Sequence, residues 1–287
     1  MTNLLLTYEP MVRGGAFLGI FALMAAWEVW APCRPLVASK ALRWRNNLAL
    51  VVLNSLLLRA LFPTAAIGMA AFAARHGWGV LHYLDAPVWL ATLLALIALD
   101  LAVWLQHVML HAIPLLWRLH RVHHADLDYD LTTGARFHPL EIVLSMLIRC
   151  AAIVVIGPSV VAVIVFEVLL NATAMFSHGN VSLPPRFERW VRWLVVTPDM
   201  HRVHHSVDDD ETNSNFGFNL PWWDRLFGTY RAAPRGGQQG MTIGIHGFSS
   251  PSEVICLPGI LTLPFRSQHG GYVINRRAWS APERPDH

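Results

Sequence analysis

The chain has 287 residues, of which 54% are apolar and only 14% charged, and its mean hydropathy is +0.39. Soluble domains carry about 25% charged residues, so this composition argues against a water-soluble enzyme and for an integral membrane protein. A net charge of +3 with no long basic run argues against a nucleic-acid binder, and three scattered cysteines with no CxxC argue against a disulfide framework or a thiolate metal site.

Four apolar stretches approach or exceed the roughly 20 residues a membrane-spanning helix requires. They lie at about 16–32, 47–74, 87–111 and 140–177. No basic segment precedes the first stretch, so it is expected to be an anchor and not a cleaved signal. The second contains Pro63, which predicts a kink. The fourth is too long for one helix and holds Gly157-Pro158 near its middle, which predicts a helical hairpin with a Gly-Pro turn. Arg34, Lys40, Arg43 and Arg45 link the first two stretches, whereas the next link carries one Arg and one Asp. The positive-inside rule then puts the first link in the cytoplasm. Followed along the chain, this topology brings 107–111, 112–139 and everything after 179 to that same face. The expected fold is an all-α membrane helix bundle of four to five segments with a cytoplasmic, histidine-rich cap, in one membrane domain. Its parts are 14–111, the first cap 112–139, the hairpin 140–177, and 178–287. Residues 254–265 are apolar but too short to span, and are expected at the membrane surface or packed on the domain.

The strongest functional signal is the pentapeptide His-Arg-Val-His-His, present at 120–124 and again at 201–205. Ten of the fifteen histidines fall between 107 and 205. His107 and His111 have i, i+4 spacing and share a helix face. His120, His123 and His124 lie on one helical side, as do His201, His204 and His205. Adjacent residues on a helix differ by about 100° in direction, so His123-His124 and His204-His205 suit two neighbouring metals better than one. His138 and His178 are single additions. Eight to ten imidazoles exceed what one metal can use, and nitrogen ligands fit iron, copper or zinc. The carboxylate of an HExxH zinc hydrolase is missing. His76, His82, His246, His269 and His287 read as ordinary polar residues.

The three boxes, His-x3-His and two copies of His-x2-His-His at the ends of apolar stretches, resemble the fatty acid hydroxylase/sterol desaturase superfamily. So do Thr132 to Glu141 after the second box, Phe176-Ser-His178-Gly-Asn180, and Trp223-Asp-Arg-Leu-Phe-Gly-Thr-Tyr230. The resemblance implies a di-iron oxygenase that hydroxylates or desaturates a lipid C–H bond with O2. It implies His107, His111, His120, His123, His124, His178, His201, His204 and His205 as iron ligands, with His138 an additional one, and no catalytic group beyond the metal centre. It also implies a separate electron donor, such as a cytochrome b5-like protein, a ferredoxin or a flavin reductase system. The ligands alone would equally accept zinc, and a metal- or haem-binding electron-transfer or transport protein is the competing class.

Several polar residues lie in or beside the apolar stretches, where charge is costly. Asp100 shares a helical stripe with His107 and His111, and Asn171 stands seven residues before His178. This stripe is expected to wall the metals from a lipid pocket. Asn180 and Asp208 are expected to support the ligands or line that pocket. Asp126, Asp128 and Asp130 are either outer partners of the ligands or solvated. Arg149 and Glu167 stand at similar distances from the Gly157-Pro158 turn, which predicts an ion pair. Asp224 and Arg225 are expected to be a second, structural ion pair.

Overall fold

The computed structural model describes residues 2–267, so His269 and His287 lie outside the described residues. Apart from two isolated bridges, the described regular structure is helical. Five segments are long and apolar enough to cross a membrane: Tyr8–Trp30, Lys40–Tyr83, Val88–Ala112, Pro139–Ile156 and Val160–Ser177.

Helix α1 (Thr2–Trp30) lies along α7 (Val160–Ser177) and runs in the same direction. Arg13 on α1 meets Glu167 on α7 at 3.1 Å, and Glu28 near the end of α1 accepts from the Asn180 N–H just beyond α7. Helix α2 (Lys40–Leu61) starts where Ser39 caps the Leu42 N–H. It ends before Pro63, and a separate α3 (Ala65–His76) follows. The predicted kink is thus a complete break, because proline removes a helix N–H and crowds the preceding turn. Past α3, the chain brings Gly79 against Gly157 at the opposite end of the bundle, so tightly that a Cβ on Gly79 would lie 2.2 Å from the Gly157 nitrogen. Helix α4 (Val88–Ala112) returns toward the cap, and α5 (Pro114–His124) begins immediately after it.

The hairpin is formed by α6 (Pro139–Ile156) and α7, each 18 residues long. At 1.5 Å per residue that is about 27 Å, close to the thickness of a bilayer core. Gly157 takes the left-handed conformation (φ 71°) that ends α6, and Ser159 caps α7. Arg149 Nη1 and Glu167 Oε1 lie 3.2 Å apart across the hairpin, the pairing that their similar distances from the turn imply.

Beyond α7 the chain forms short helices that close the cap: α8 (Pro185–Val191), α9 (Pro198–His204), α10 (Asp209–Thr212) and α11 (Trp222–Phe227). The apolar stretch near the C-terminus packs on the protein. Val254, Ile255, Ile260 and Leu263 are buried in one cluster with Leu50, Trp117 and Val122. Arg121 and Arg136 hold this strap by donating to the carbonyls of Leu263 and Val254.

Candidate metal centre

Four elements end at one place. The last two turns of α4 present His107 and His111, and α5 presents His120, His123 and His124. His178 is the C-cap of α7. Thr197 caps α9 at the Met200 N–H, and that helix supplies His201 and His204, with His205 as its C-cap. All nine rings are at most 1% exposed. Their ligand nitrogens form two groups, within each of which the atoms lie within 4.8 Å of one another. His107, His111, His120, His124 and His204 make one group; His123, His178, His201 and His205 make the other. Each adjacent pair divides between them: His124 and His204 join the group of five, His123 and His205 the group of four.

Hydrogen bonds on the outer side of the rings fix which nitrogen is bare. His107 Nδ1 lies 2.8 Å from the Phe216 carbonyl, His204 Nδ1 2.7 Å from the Ser214 carbonyl, and His178 Nδ1 2.8 Å from the Ala174 carbonyl. His120 Nδ1 meets Glu141 Oε1 at 2.7 Å, and His111 Nδ1 meets Asn213 Oδ1 at 3.2 Å. Carbonyl and carboxylate oxygens only accept, so each Nδ1 carries the proton and each Nε2 is a lone-pair nitrogen. Those Nε2 atoms point at one another: His107 to His120 at 3.0 Å, and His111 to His124 at 3.2 Å. In the second group His178 Nε2 stands 3.2 Å from that of His123 and 3.1 Å from that of His201. His107 and His120, whose Nδ1 atoms are both committed to outer acceptors, present two bare nitrogens that repel each other unless a cation lies between them. Nitrogens held at right angles on one metal at about 2.1 Å stand about 3 Å apart. The residues therefore fit a transition metal in each group, with the outer partners orienting the ligands.

Electrostatics agree with this. Burial pushes His120 and His178 down to about 3, and it pushes His123, His124, His201, His204 and His205 well below the usual histidine range. At neutral pH these rings are uncharged and available as ligands.

The remaining expected site residues are distributed differently. His138 does not join either group; it caps α6 by accepting from the Leu140 N–H, and its Nε2 faces the Leu261 carbonyl. Asp100 is not among the residues lining the cavity beneath the histidines. It is buried and accepts from Asn219 Nδ2 at 2.8 Å and Trp223 Nε1 at 2.8 Å, which fastens the segment before α11 to α4. Asn180 exchanges hydrogen bonds with the Arg34 backbone, away from the rings. Asp208 is half-exposed and paired with Arg235. Asp224 and Arg225 are not paired with each other, since neighbours on a helix point about 100° apart. Asp224 accepts from Trp104 Nε1, the Phe216 and Gly217 N–H groups and the Thr229 hydroxyl, while Arg225 stacks on Trp193 and Tyr230. Asn171 does line a cavity, as described below.

Sequence reasoning missed Glu141, the carboxylate behind His120. Its signal was its place in the first turn of α6, three residues after His138. The Asp126–Asp130 run is also neither solvated nor bonded to the rings. Arg43 is buried between Asp126 (2.7 Å) and Asp130 (2.5 Å), and Asp128 accepts from the Val37 and Ala38 N–H groups. Burial pushes the Asp126 carboxyl up, but Arg43 overrides it and holds the group at about 2. This network ties the link between α1 and α2 to the loop after α5.

Beneath the histidines a cavity of about 390 Å³ opens into the bundle. His107, His120 and Glu141 line its upper end, and Val103, Leu58 and Leu170 give it apolar walls.

A bundle of membrane-type helices, capped by two groups of buried imidazoles and hollow beneath them, is the architecture of a histidine-clustered membrane protein suited to bind metal. Residues 92–229, just under half of the chain, match the fatty acid hydroxylase family model. The chain is similar to alkylglycerol monooxygenase of Xenopus tropicalis, 31% identical over 137 residues, which cover 48% of this chain and 30% of that protein. The human alkylglycerol monooxygenase is 28% identical over 54% of this chain and 34% of its own length. Ornithine lipid hydroxylase OlsE of Rhizobium tropici is 26% identical over 52% of this chain and 44% of that protein. These matches span less than half the length of those relatives. No solved structure matches the chain.

Proposed function

We propose that the protein is a membrane di-iron oxygenase that hydroxylates, or desaturates, a C–H bond of a lipid using O2 and two external electrons. The observation that carries this reading is the pair of histidine groups, five and four, at the mouth of a cavity inside a membrane-type bundle. His107, His111, His120, His124 and His204 would hold one ion, and His123, His178, His201 and His205 the other. Bound there, the metals supply reductive activation of O2. Iron is favoured over zinc because the relatives are a monooxygenase and a hydroxylase, and zinc has no redox chemistry.

The chain's own residues do the rest. Glu141, Asn213 and the carbonyls of Phe216, Ala174 and Ser214 hold the ligand rings in the tautomer that presents Nε2 inward. Burial of the cap keeps bulk water from the site, and the cavity aligns a lipid beneath His107 and His120. The electrons come from a separate carrier: a cytochrome b5-like protein, a ferredoxin or a flavin reductase system. A cytoplasmic cap is favoured because Arg34, Lys40, Arg45, Arg118, Arg186 and Arg189 lie at its end of the bundle. A metal transporter is disfavoured, since Asp100 and Glu167 within the spans are bound to Asn219, Trp223, Arg149 and Arg13, and Glu141 is bound to His120.

Mass spectrometry of lipids from cells with and without the protein tests this. A lipid gaining one oxygen with the intact protein, and not with His204→Ala, is expected. An unchanged lipid profile, with metal still bound, would overturn it.

A further inference from the structure

Asn215 closes the neck of a loop. Its N–H donates to the Thr229 carbonyl at 2.9 Å, and its Oδ1 accepts from the Arg231 N–H at 2.8 Å. Residues 216–228, with α11 among them, hang from that neck along the side of α4. The Phe216 carbonyl reaches His107, Asp224 accepts from Trp104, and Asn219 and Trp223 donate to Asp100. From α7, Thr173 donates to Asn219. The loop therefore descends α4 from His107 to Asp100, about 10 Å along the helix axis.

That depth lies within the membrane. Helix α4 has 25 residues. Its length is about 37 Å, against about 30 Å for a hydrocarbon core. With the whole excess placed on the cap side, the core still begins at about residue 107, above Trp104 and Asp100. Non-helical backbone is tolerated at such depth only where its polar groups are satisfied within the protein. Two carboxylates do this here: Asp224 accepts from the Phe216 and Gly217 N–H groups, and Asp100 from those of Asn219 and Leu220. The outer side of the loop is apolar and open, with Trp222 42%, Leu226 69% and Phe227 54% exposed.

The same surface continues onto α8. Trp222 Nε1 donates to the Trp193 carbonyl at 2.7 Å, and Arg225 lies between the Trp193 and Tyr230 rings. Phe187, Trp190, Trp193 and Leu194 are each more than half exposed. Arg186 and Arg189 stand beside Phe187 and Trp190, and neither pairs with a carboxylate among the described residues. The nearby Glu188 is taken by Arg192 and the Thr197 hydroxyl. Aromatic rings beside arginines suit the boundary between acyl chains and headgroups. A zwitterionic headgroup brings its own cation, so two unpaired arginines favour one with net negative charge. A soluble partner cannot reach α11 at its depth, whereas a lipid can.

We propose that α8 and α11 form a lipid-binding surface outside the cavity. Trp222, Leu226 and Phe227 insert among the acyl chains of the cap-side leaflet, and Arg186 and Arg189 hold the phosphates of anionic phospholipids.

Two measurements test it. In the first, a nitroxide is attached at Leu226→Cys, in a chain with Cys33, Cys150 and Cys256 replaced by Ala, and the protein is placed in nanodiscs. Collision with O2, which concentrates among acyl chains, is expected to exceed collision with water-soluble chromium oxalate. The same label at Arg235→Cys is expected to show the reverse. Preferential access of chromium oxalate at Leu226, or exclusion of both probes by a second copy of the chain, overturns the proposal. In the second, native mass spectrometry counts the lipids that the wild-type protein retains from micelles holding equal phosphatidylglycerol and phosphatidylcholine. A preference for phosphatidylglycerol is expected. Arg186→Gln and Arg189→Gln are each expected to weaken it about fivefold, with metal content unchanged. Equal retention of the two lipids by the wild type, or an unaltered preference in the double variant, overturns the proposal. Neither measurement reads oxygen insertion, so this surface stands or falls independently of the oxygenase reading.

Discussion

Side chains behind the histidines govern the site as much as the histidines do. His178 shows this most sharply, because its ring is wedged between the Ala174 carbonyl and Gly134. A Cβ on Gly134 would stand 2.8 Å from that carbonyl and 3.0 Å from His178 Nδ1, closer than side chains tolerate. Gly134→Ala is therefore expected to turn the ring, break its hydrogen bond to Ala174 and weaken the group of four without touching a ligand. Overpacking of this kind costs about 1–3 kcal/mol, and loss of the outer partner weakens metal binding about 10–100-fold. Thermal unfolding and metal analysis of the purified variant check it; wild-type values of both would sink the idea. Eight of the nine clustered histidines were legible in the sequence because box spacing is a property of the residues themselves, whereas His178, a single residue, was reached only through the family resemblance. Glu141, Asn213 and Gly134 were not legible, since their importance comes from where a distant ring is placed.

At the scale of elements, what succeeded and what failed follows from distance along the chain. The α6–α7 hairpin and its Arg149–Glu167 pair were readable because a Gly-Pro turn sets a symmetric register on either side of itself. Asp100 was misread because its partners, Asn219 and Trp223, lie about 120 positions away, and no local pattern announces them. Its actual role is to pin the segment leading into α11 onto α4, with Asp224 and Trp104 making a second pin. That segment also carries the Phe216 carbonyl that orients His107. Asp100→Ala would leave the Asn219 amide and the Trp223 indole N–H without their acceptor. A loss of about 3 kcal/mol is expected, seen as a lower unfolding temperature in detergent and looser metal binding. A variant with unchanged stability would show that the pin is dispensable.

The whole molecule is joined through the histidines. Each group takes ligands from both halves of the fold: α4 and α5 with α9 in the group of five, and α5 with α7 and α9 in the group of four. A ligand that binds only the folded state stabilises it by RT ln(1 + [L]/Kd), about 4 kcal/mol at a thousandfold excess over Kd. Chelation is therefore expected to lower the unfolding temperature and expose the cap to proteolysis. The division of the adjacent pairs supplies a sharper test of two ions against one. His204 and His205 are neighbours, equally buried, yet their nitrogens belong to different groups. If each group holds its own ion, His204→Ala and His205→Ala each bring metal content from two per chain to one. Because each removes a different ion, the double variant binds none. If one ion sits between the groups, either single substitution abolishes or spares binding as a whole, and the intermediate stoichiometry never appears. Metal analysis of the three variants separates these outcomes, because it counts ions without requiring that the lipid be known.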